Sequence, residues 1–228
     1  MKLFVIEGVD GAGKSTQIKL LRDFFSEKGY KCEYLHFPRT EAPYFGELIA
    51  RFLRGEFGTI SEVDPYLVAM LYAGDRKDAA QMIRSWLNGG KVILLDRYTY
   101  SNIAYQCAKL KEIHEQERLM EWILKLEFNH FSIPRPSLNI FLDVPFAFTE
   151  KKLSGARTGE DRNYLKGSRD IHEESLDFQR KVRDIYLRVS QSDNSLAVVN
   201  CSSSEDTMLP PDEIFKLLTG ILKNRKFI

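Results

Sequence analysis

Short apolar runs alternate with longer amphipathic stretches along the whole chain. Five runs are typical of buried strands: Lys2–Glu7, Cys32–Phe37, Val92–Leu95, Leu138–Val144 and Leu196–Cys201. Between them, apolar residues recur at helical spacing, which predicts helices over Ser15–Lys28, Asp64–Leu87, Glu115–Phe128, Asp170–Ser190 and Pro211–Lys223. Strands that alternate with helices indicate a parallel sheet covered on both faces. We therefore predict a three-layer α/β/α fold around a five-stranded parallel sheet.

The turn after the first predicted strand has the sequence of a phosphate-binding loop. Residues 8–15 follow the pattern G-x-x-x-x-G-K-S, between an apolar strand and an amphipathic helix. Glycines let backbone N–H groups converge on phosphate oxygens, Lys14 can reach the β- and γ-phosphates, and the Ser15 hydroxyl can ligate Mg²⁺. We predict that ATP binds at Gly8, Val9, Asp10, Gly11, Ala12, Gly13, Lys14, Ser15 and Thr16.

Composition limits the remaining classes of function. The 228 residues suit a single domain spanning 1–228, and the formal net charge of +1 gives no field that would attract nucleic acid or an anionic membrane. No apolar run has the length of a membrane span. Three widely spaced cysteines and a first strand that leaves no room for a signal peptide favour a cytoplasmic location. We expect neither nucleic acid nor membrane among the partners.

Charged residues follow the predicted strands at the edge where a doubly wound sheet binds its ligands. Arg39 follows the second strand and Arg97 follows the third. Two arginines beside the phosphate loop indicate a second phosphate site, for an acceptor; the alternative is ordinary surface ion pairing. Asp96 ends the third strand, at the position where an acid orients Mg²⁺ in P-loop enzymes. The alternative is that Asp96 orients Lys14 or Arg97.

Two further segments carry candidate chemistry. Tyr72 and Arg76 lie one turn apart on a predicted helix, so they can stack on a base and bind its edge, although plain packing is the alternative. The polar, basic stretch at about 154–168 is predicted to be a mobile lid, and a solvated linker is the alternative. Because Lys14 is the only cation of the phosphate loop, Arg157 and Arg162 would supply charge to the γ-phosphate when the lid closes.

Five motifs in order resemble the thymidylate kinase family over essentially the whole chain. They are IEGVDGAGKST at 6–16, FPR at 37–39, AGDR at 73–76, DRYTYSNIAYQ at 96–106 and PRPSLNIFLDVP at 134–145. The resemblance implies a homodimeric kinase that transfers the γ-phosphoryl group of ATP to dTMP with Mg²⁺. With Gly11 in its phosphate loop, the chain resembles bacterial members of the family, in which the lid supplies the cation opposite the γ-phosphate.

The resemblance also implies roles for individual residues. Arg39 and Arg97 would bind the dTMP phosphate, Asp10 the 3′-hydroxyl, and Tyr105 would crowd the 2′ position. Tyr72 would stack on thymine, while Arg76 and Asn102 would bind its edge. The implied acceptor-site residues are Asp10, Phe37, Arg39, Tyr72, Arg76, Arg97, Asn102 and Tyr105; the catalytic residues are Lys14, Arg97, Arg157 and Arg162; the magnesium residues are Asp10, Ser15 and Asp96.

Three other functions remain open on the sequence. The first keeps the chemistry and changes the acceptor to another nucleoside monophosphate or a deoxynucleoside. The second is a nucleotide-dependent switch, against which the absence of an Asn-Lys-x-Asp motif argues. The third is an ATPase that acts on nucleic acid, which the +1 net charge disfavours.

Overall fold

A computed structural model describes residues 2–154, 164, 165, 171, 175–204 and 206–228. Most of the predicted lid, including Arg157 and Arg162, lies outside the described residues. In the part of the chain that is described, no helix is both long and apolar enough to cross a membrane.

The five strands form one sheet in which every neighbouring pair is parallel. The strands are β1 (Leu3–Glu7), β2 (Cys32–His36), β3 (Val92–Asp96), β4 (Leu138–Asp143) and β5 (Leu196–Asn200). Their order across the sheet is β2-β3-β1-β4-β5, which places β1 and its phosphate loop at the centre. The predicted fold class is confirmed.

The helices cover the sheet on both faces. They are α1 (Lys14–Glu27), α2 (Phe45–Leu53), α3 (Pro65–Asn88), α4 (Thr99–Cys107), α5 (Ile113–Leu124), α6 (Phe146–Ser154), α7 (Leu176–Ser192) and α8 (Pro211–Asn224). The prediction of one helix over Glu115–Phe128 was wrong for its last four residues. α5 ends at Leu124, and a π-helical turn, Lys125–His130, continues the chain.

Strand β1 shows why the two central strands β1 and β3 are apolar up to their last residue. Phe4 and Ile6 face one layer of the core, and Leu3 and Val5 face the other, all with at most 1% of their surface exposed. Because side chains alternate across a strand, burial on both faces leaves no position for a polar residue until the strand ends. Polar residues at the strand ends are therefore the ones available for chemistry.

The register of the sheet brings those ends together. Ile6 of β1 pairs with Asp96 of β3, and His36 of β2 also pairs with Asp96. The phosphate loop after β1, Arg97 after β3 and Phe37 after β2 therefore leave the sheet at the same edge. This common edge is the ligand-binding edge of a doubly wound sheet.

Candidate active site

The phosphate loop has the backbone that its glycines allow. Gly11 and Gly13 adopt left-handed conformations, with φ of 78° and 81°, which a side chain disfavours. Lys14 is buried, and its ammonium group donates to the carbonyls of Gly8 and Val9 at 3.4 and 3.2 Å. Its charge is thereby held within the loop. Ser15 and Thr16 follow in the first turn of α1 and are exposed, so the Ser15 hydroxyl is accessible to a metal ion.

Asp10 joins the phosphate loop to the residues that follow β3. Its carboxylate accepts from Arg97 Nη2 at 2.7 Å, from the Tyr105 hydroxyl at 2.8 Å and from Gln179 Nε2 at 3.1 Å. Arg97 Nη2 also donates to the Tyr105 hydroxyl at 3.2 Å. The structure therefore brings three predicted site residues into one cluster. Gln179, on α7, was not predicted from the sequence.

The backbone at Arg97 is unusual. Its φ is 67°, in the left-handed region that non-glycine residues rarely adopt. Such conformations cost free energy and cluster at functional sites, where the surroundings hold them in place. Here the held side chain is buried, and Nη1 donates to Ser101 Oγ at 3.2 Å. The guanidinium is thus fixed near the phosphate loop.

Glu7, the last residue of β1, forms a buried foundation that sequence reasoning missed. Its carboxylate accepts from the backbone N–H groups of Tyr98 and Ser101 at 3.0 and 3.3 Å, and from the Tyr186 hydroxyl at 2.9 Å. Burial raises the pKa of Glu7, although hydrogen bonds from Ser101 and Tyr186 and the charge of Arg97 oppose that rise. These bonds hold the start of α4 against the end of β1.

Asp96 is 5% exposed and has one carboxylate oxygen engaged, with Oδ2 lying 3.4 Å from His36 Nδ1. Its other oxygen, Oδ1, has no hydrogen-bond partner among the described residues. Burial alone would raise the pKa of Asp96, but Lys14, His36 and Arg97 outweigh burial and lower it. An ionised carboxylate with an unpartnered oxygen beside a phosphate loop fits a role in holding Mg²⁺ or its water.

Arg39 and Phe37 follow β2. Arg39 Nε donates to Asp75 Oδ1 at 2.8 Å, and its Nη2 donates to Asp78 Oδ2 at 2.6 Å. These two acids of α3 hold the guanidinium at the ligand edge, so the predicted arginine is present in an ion-paired state. Phe37 is buried, and its ring packs against Tyr98 at a centroid distance of 5.5 Å. Phe37 therefore supports this edge from within the core.

The predicted base-binding residues lie on α3 and α4. Tyr72 is 9% exposed and belongs to a cluster with Phe52 and Val68. Arg76 and Asn102 are both buried and both bind Glu127 of the π-helical turn. Asn102 Nδ2 donates while its Oδ1 has no partner within the described part of the chain. An unpartnered buried acceptor is costly unless a ligand satisfies it.

Gln106 extends this polar surface by one turn of α4. It is 1% exposed, and neither its Oε1 nor its Nε2 has a hydrogen-bond partner among the described residues. The i, i+4 spacing from Asn102 places both amides on the same side of the helix. The sequence signal for Gln106 was this spacing. Its unpartnered amide, which marks it as a candidate ligand contact, is visible only in the structure.

Comparison with known proteins agrees with this geometry. The sequence model of the family described as thymidylate kinase matches residues 6–209. A probable thymidylate kinase of Thermococcus onnurineus is 34% identical over 205 residues, which cover 88% of this chain and 89% of that protein. Thymidylate kinase of Mycobacterium tuberculosis H37Rv is 32% identical over 189 residues, covering 82% and 85%.

A solved structure gives the same answer from the fold. Thymidylate kinase from Candida albicans superposes with a TM-score of 0.72 at 25% sequence identity, covering 99% of this chain and 92% of that one. The family model, the two relatives and the solved structure all bear the name thymidylate kinase. This chain belongs to the thymidylate kinase family.

Proposed function

We propose that this protein transfers the γ-phosphoryl group of ATP to the phosphate of dTMP, giving dTDP and ADP. The observation that carries the proposal is the Asp10–Arg97–Tyr105 cluster, in which a phosphate-loop residue bonds directly to the arginine and tyrosine that follow β3. A donor site and an acceptor site that share a residue suit a reaction between two bound phosphates.

The donor half is the phosphate loop. The backbone N–H groups of residues 8–16 and the start of α1 would hold the ATP phosphates, and Lys14 would leave the carbonyls of Gly8 and Val9 for the β- and γ-phosphates. Ser15, Asp10 and Asp96 would hold Mg²⁺, directly or through water. The ion, when bound, would neutralise charge on the β- and γ-phosphate oxygens.

The acceptor half surrounds Arg97. Arg97 and Arg39 would bind the dTMP phosphate, and Arg97 would orient the oxygen that attacks the γ-phosphorus. That oxygen is already ionised, so the reaction needs no general base. Asp10 would accept from the 3′-hydroxyl and Tyr105 would fill the space of a 2′-hydroxyl. Both residues lie within hydrogen-bond distance of Arg97, so phosphate and sugar contacts are positioned together.

Base recognition would use the α3 and α4 surface. Tyr72 would stack on thymine. Asn102 Oδ1, which has no hydrogen-bond partner among the described residues, would accept from the thymine N3–H. Arg76 Nη1 would donate to a thymine carbonyl, since Nε and Nη2 already bind Glu127. Thymine presents a donor at N3 beside an acceptor at O4, and this pair of protein groups has the complementary order.

We further infer a homodimer that pairs through α3. Leu67 and Met70 of that helix are 60% and 44% exposed, and adjacent exposed apolar side chains are typical of a protein interface. Sedimentation of the wild type and of Met70→Lys would test this pairing. We also propose a cytoplasmic location, which the free thiols of Cys32, Cys107 and Cys201 support.

A substrate panel tests the proposed function. The purified protein is assayed for ADP formation with ATP and Mg²⁺ in the presence of dTMP, dUMP, UMP, dCMP or thymidine. We expect the highest kcat/KM with dTMP and little turnover of thymidine, which lacks the phosphate for Arg97. Greater activity on another acceptor would overturn the assignment.

A paired substitution tests the phosphate loop in the same assay. We expect Lys14→Ala to abolish transfer in a folded protein, because Lys14 is the only cation in the loop. Lys19→Ala, on the exposed face of α1, is the matched control and should keep wild-type activity. Near-normal turnover of Lys14→Ala would contradict the assigned role.

A further inference from the structure

We propose that Glu127 is a positioning residue that sets the choice between thymine and cytosine at the acceptor site, by fixing the orientation of the Asn102 amide and the Arg76 guanidinium. The inference rests on the proposed function, because it concerns the same base site. Glu127 itself is fully buried and accepts hydrogen bonds from both side chains.

The carboxylate of Glu127 accepts hydrogen bonds from three side chains. Oε2 accepts from Arg76 Nε at 2.7 Å and from Thr99 Oγ1 at 2.7 Å. Oε1 accepts from Arg76 Nη2 at 2.6 Å and from Asn102 Nδ2 at 3.0 Å. Each oxygen therefore faces two donors, and neither can be exchanged for a donor without a conflict. A buried carboxylate whose two oxygens both accept hydrogen bonds in this way holds its partners in one geometry.

The network decides which atom of Asn102 is offered to a ligand. Nδ2 faces two acceptors, Glu127 Oε1 and the carbonyl of Ala69, both at 3.0 Å. Turning the amide over would place Oδ1 against those two oxygens, so Oδ1 must be the atom left for a base. An acceptor at this position suits the N3–H of thymine and opposes cytosine, whose N3 is itself an acceptor.

Arg76 is held by the same carboxylate. The two-point pairing neutralises a guanidinium that is 1% exposed, and it fixes the plane of the fork. Among the described residues, no hydrogen bond uses Nη1, so its hydrogens are available to a carbonyl oxygen. Cytosine carries an amino group where thymine carries O4, so a fixed donor here discriminates in the same direction as Asn102.

The backbone around Glu127 is also irregular. Glu127 lies in the π-helical turn Lys125–His130, which interrupts the α-helical pattern after α5. Such turns insert extra chain into a helix and are frequent at functional sites. Glu127 is buried and lies four residues after Ile123, which is buried in α5, so an acid occupies a position where the amphipathic pattern would be expected to place an apolar residue.

The test is Glu127→Gln, which keeps the shape of the side chain and replaces one acceptor oxygen by a donor. The amide NH₂ must face either Arg76 and Asn102 or Arg76 and Thr99, and both arrangements set donor against donor. We expect the ratio of kcat/KM for dTMP to that for dCMP to fall at least tenfold, with the KM for ATP unchanged. If Glu127 had a merely structural role, the substitution would lower kcat/KM for dTMP and for dCMP by the same factor and leave their ratio at its wild-type value.

Two further variants keep the result interpretable. Asp193→Asn removes a carboxylate charge that is bound by the Tyr100 hydroxyl and belongs to neither proposed site, so its ratio should stay that of the wild type. Glu127→Asp keeps the charge but is one methylene shorter, so it should lower the ratio in part. It provides the test if Glu127→Gln fails to fold. An unchanged ratio in every folded Glu127 variant would overturn the proposal. Wild-type protein without dTMP activity would instead overturn the proposed function.

Discussion

The carboxylate of Asp10 and the guanidinium of Arg97 form an ion pair at 2.7 Å, although they are 87 residues apart in sequence. Asp10 belongs to the phosphate loop after β1, and Arg97 follows the neighbouring strand β3. The parallel pairing of Ile6 with Asp96 places the two at the same height on the sheet. The contact therefore links the residues proposed for the two substrates, and the predictions below depend on it.

Removal of Arg97 should affect the acceptor more than the donor. We expect Arg97→Ala to lower kcat/KM for dTMP by about 2–4 kcal/mol, because a buried, charge-assisted phosphate contact is lost. The KM for ATP should change less. The measurement is a pair of saturation curves, one for each substrate. A larger loss on the ATP curve would place Arg97 in the donor site instead.

Tyr105 separates the effect of bulk from that of hydrogen bonding. Tyr105→Ala should relax discrimination between dTMP and ribo-TMP by about 1–3 kcal/mol in relative kcat/KM, the scale of a steric pocket difference. Tyr105→Phe keeps the ring and should keep the discrimination. Its hydroxyl, however, donates to Asp10 and accepts from Arg97, so overall activity should fall by about 1 kcal/mol. Loss of discrimination already in Tyr105→Phe would assign the selection to the hydroxyl.

The predicted lid arginines should act mainly on kcat. Since Lys14 is the only cation of the phosphate loop, the double variant Arg157→Ala/Arg162→Ala should lower kcat by roughly a thousandfold or more. The KM for dTMP should be little changed. Single-turnover measurement separates this loss from slow product release. A double variant with the wild-type kcat would mean that Lys166 or Arg169 supplies the charge.

Lys109 gives a pH-dependent prediction for stability. Its ammonium nitrogen is buried 4.7 Å from the centre of the Phe52 ring and, within the described residues, has no hydrogen-bond partner. Burial lowers the pKa of Lys109 from 10.5 to about 7, and the charge of Asp64 only partly opposes the shift. The unfolded chain therefore keeps a proton between pH 7 and 10.5 that the folded protein has lost.

The sign of the effect follows from that difference. The free energy of unfolding should rise with pH across this window, by up to roughly 1.4 kcal/mol per pH unit from this group. Lys109→Met should therefore stabilise the protein most at pH 7 and below, and progressively less toward pH 10. Urea unfolding at pH 7 and 9.5 measures the difference, with the exposed Lys111→Met as control. An equal gain at both pH values would contradict the assignment.

The sequence predicted the parts of the fold that local pattern determines. Strand β1 and helix α8 begin or end within one residue of their predicted bounds, since an apolar run and a helix-starting proline mark them. The helix α2 was not predicted. It is only nine residues long and begins directly after Tyr44, whose φ is 61°, so its start carries none of the usual capping signals.

The candidate site divides in the same way. Motif positions predicted Lys14, Arg97 and Tyr105, and the structure brings these residues to one edge of the sheet. The partners that hold predicted residues in place were not predicted, because they are distant in sequence: Asp75 lies 36 residues from Arg39, and Glu127 lies 51 residues from Arg76. Neither acid stands at a strand end, where sequence analysis sought chemistry.

The π-helical turn at Lys125–His130 makes the base site sensitive to the number of residues as well as to their identity. In an α-helix each residue turns the chain by about 100°, so deletion of one residue from this turn would rotate every later side chain relative to α5. Substitution scanning, which preserves chain length, cannot expose this dependence. Deletion or insertion of one residue between Leu124 and Glu127 is therefore expected to detach Glu127 from Arg76 and Asn102 while leaving all five motifs of the chain intact.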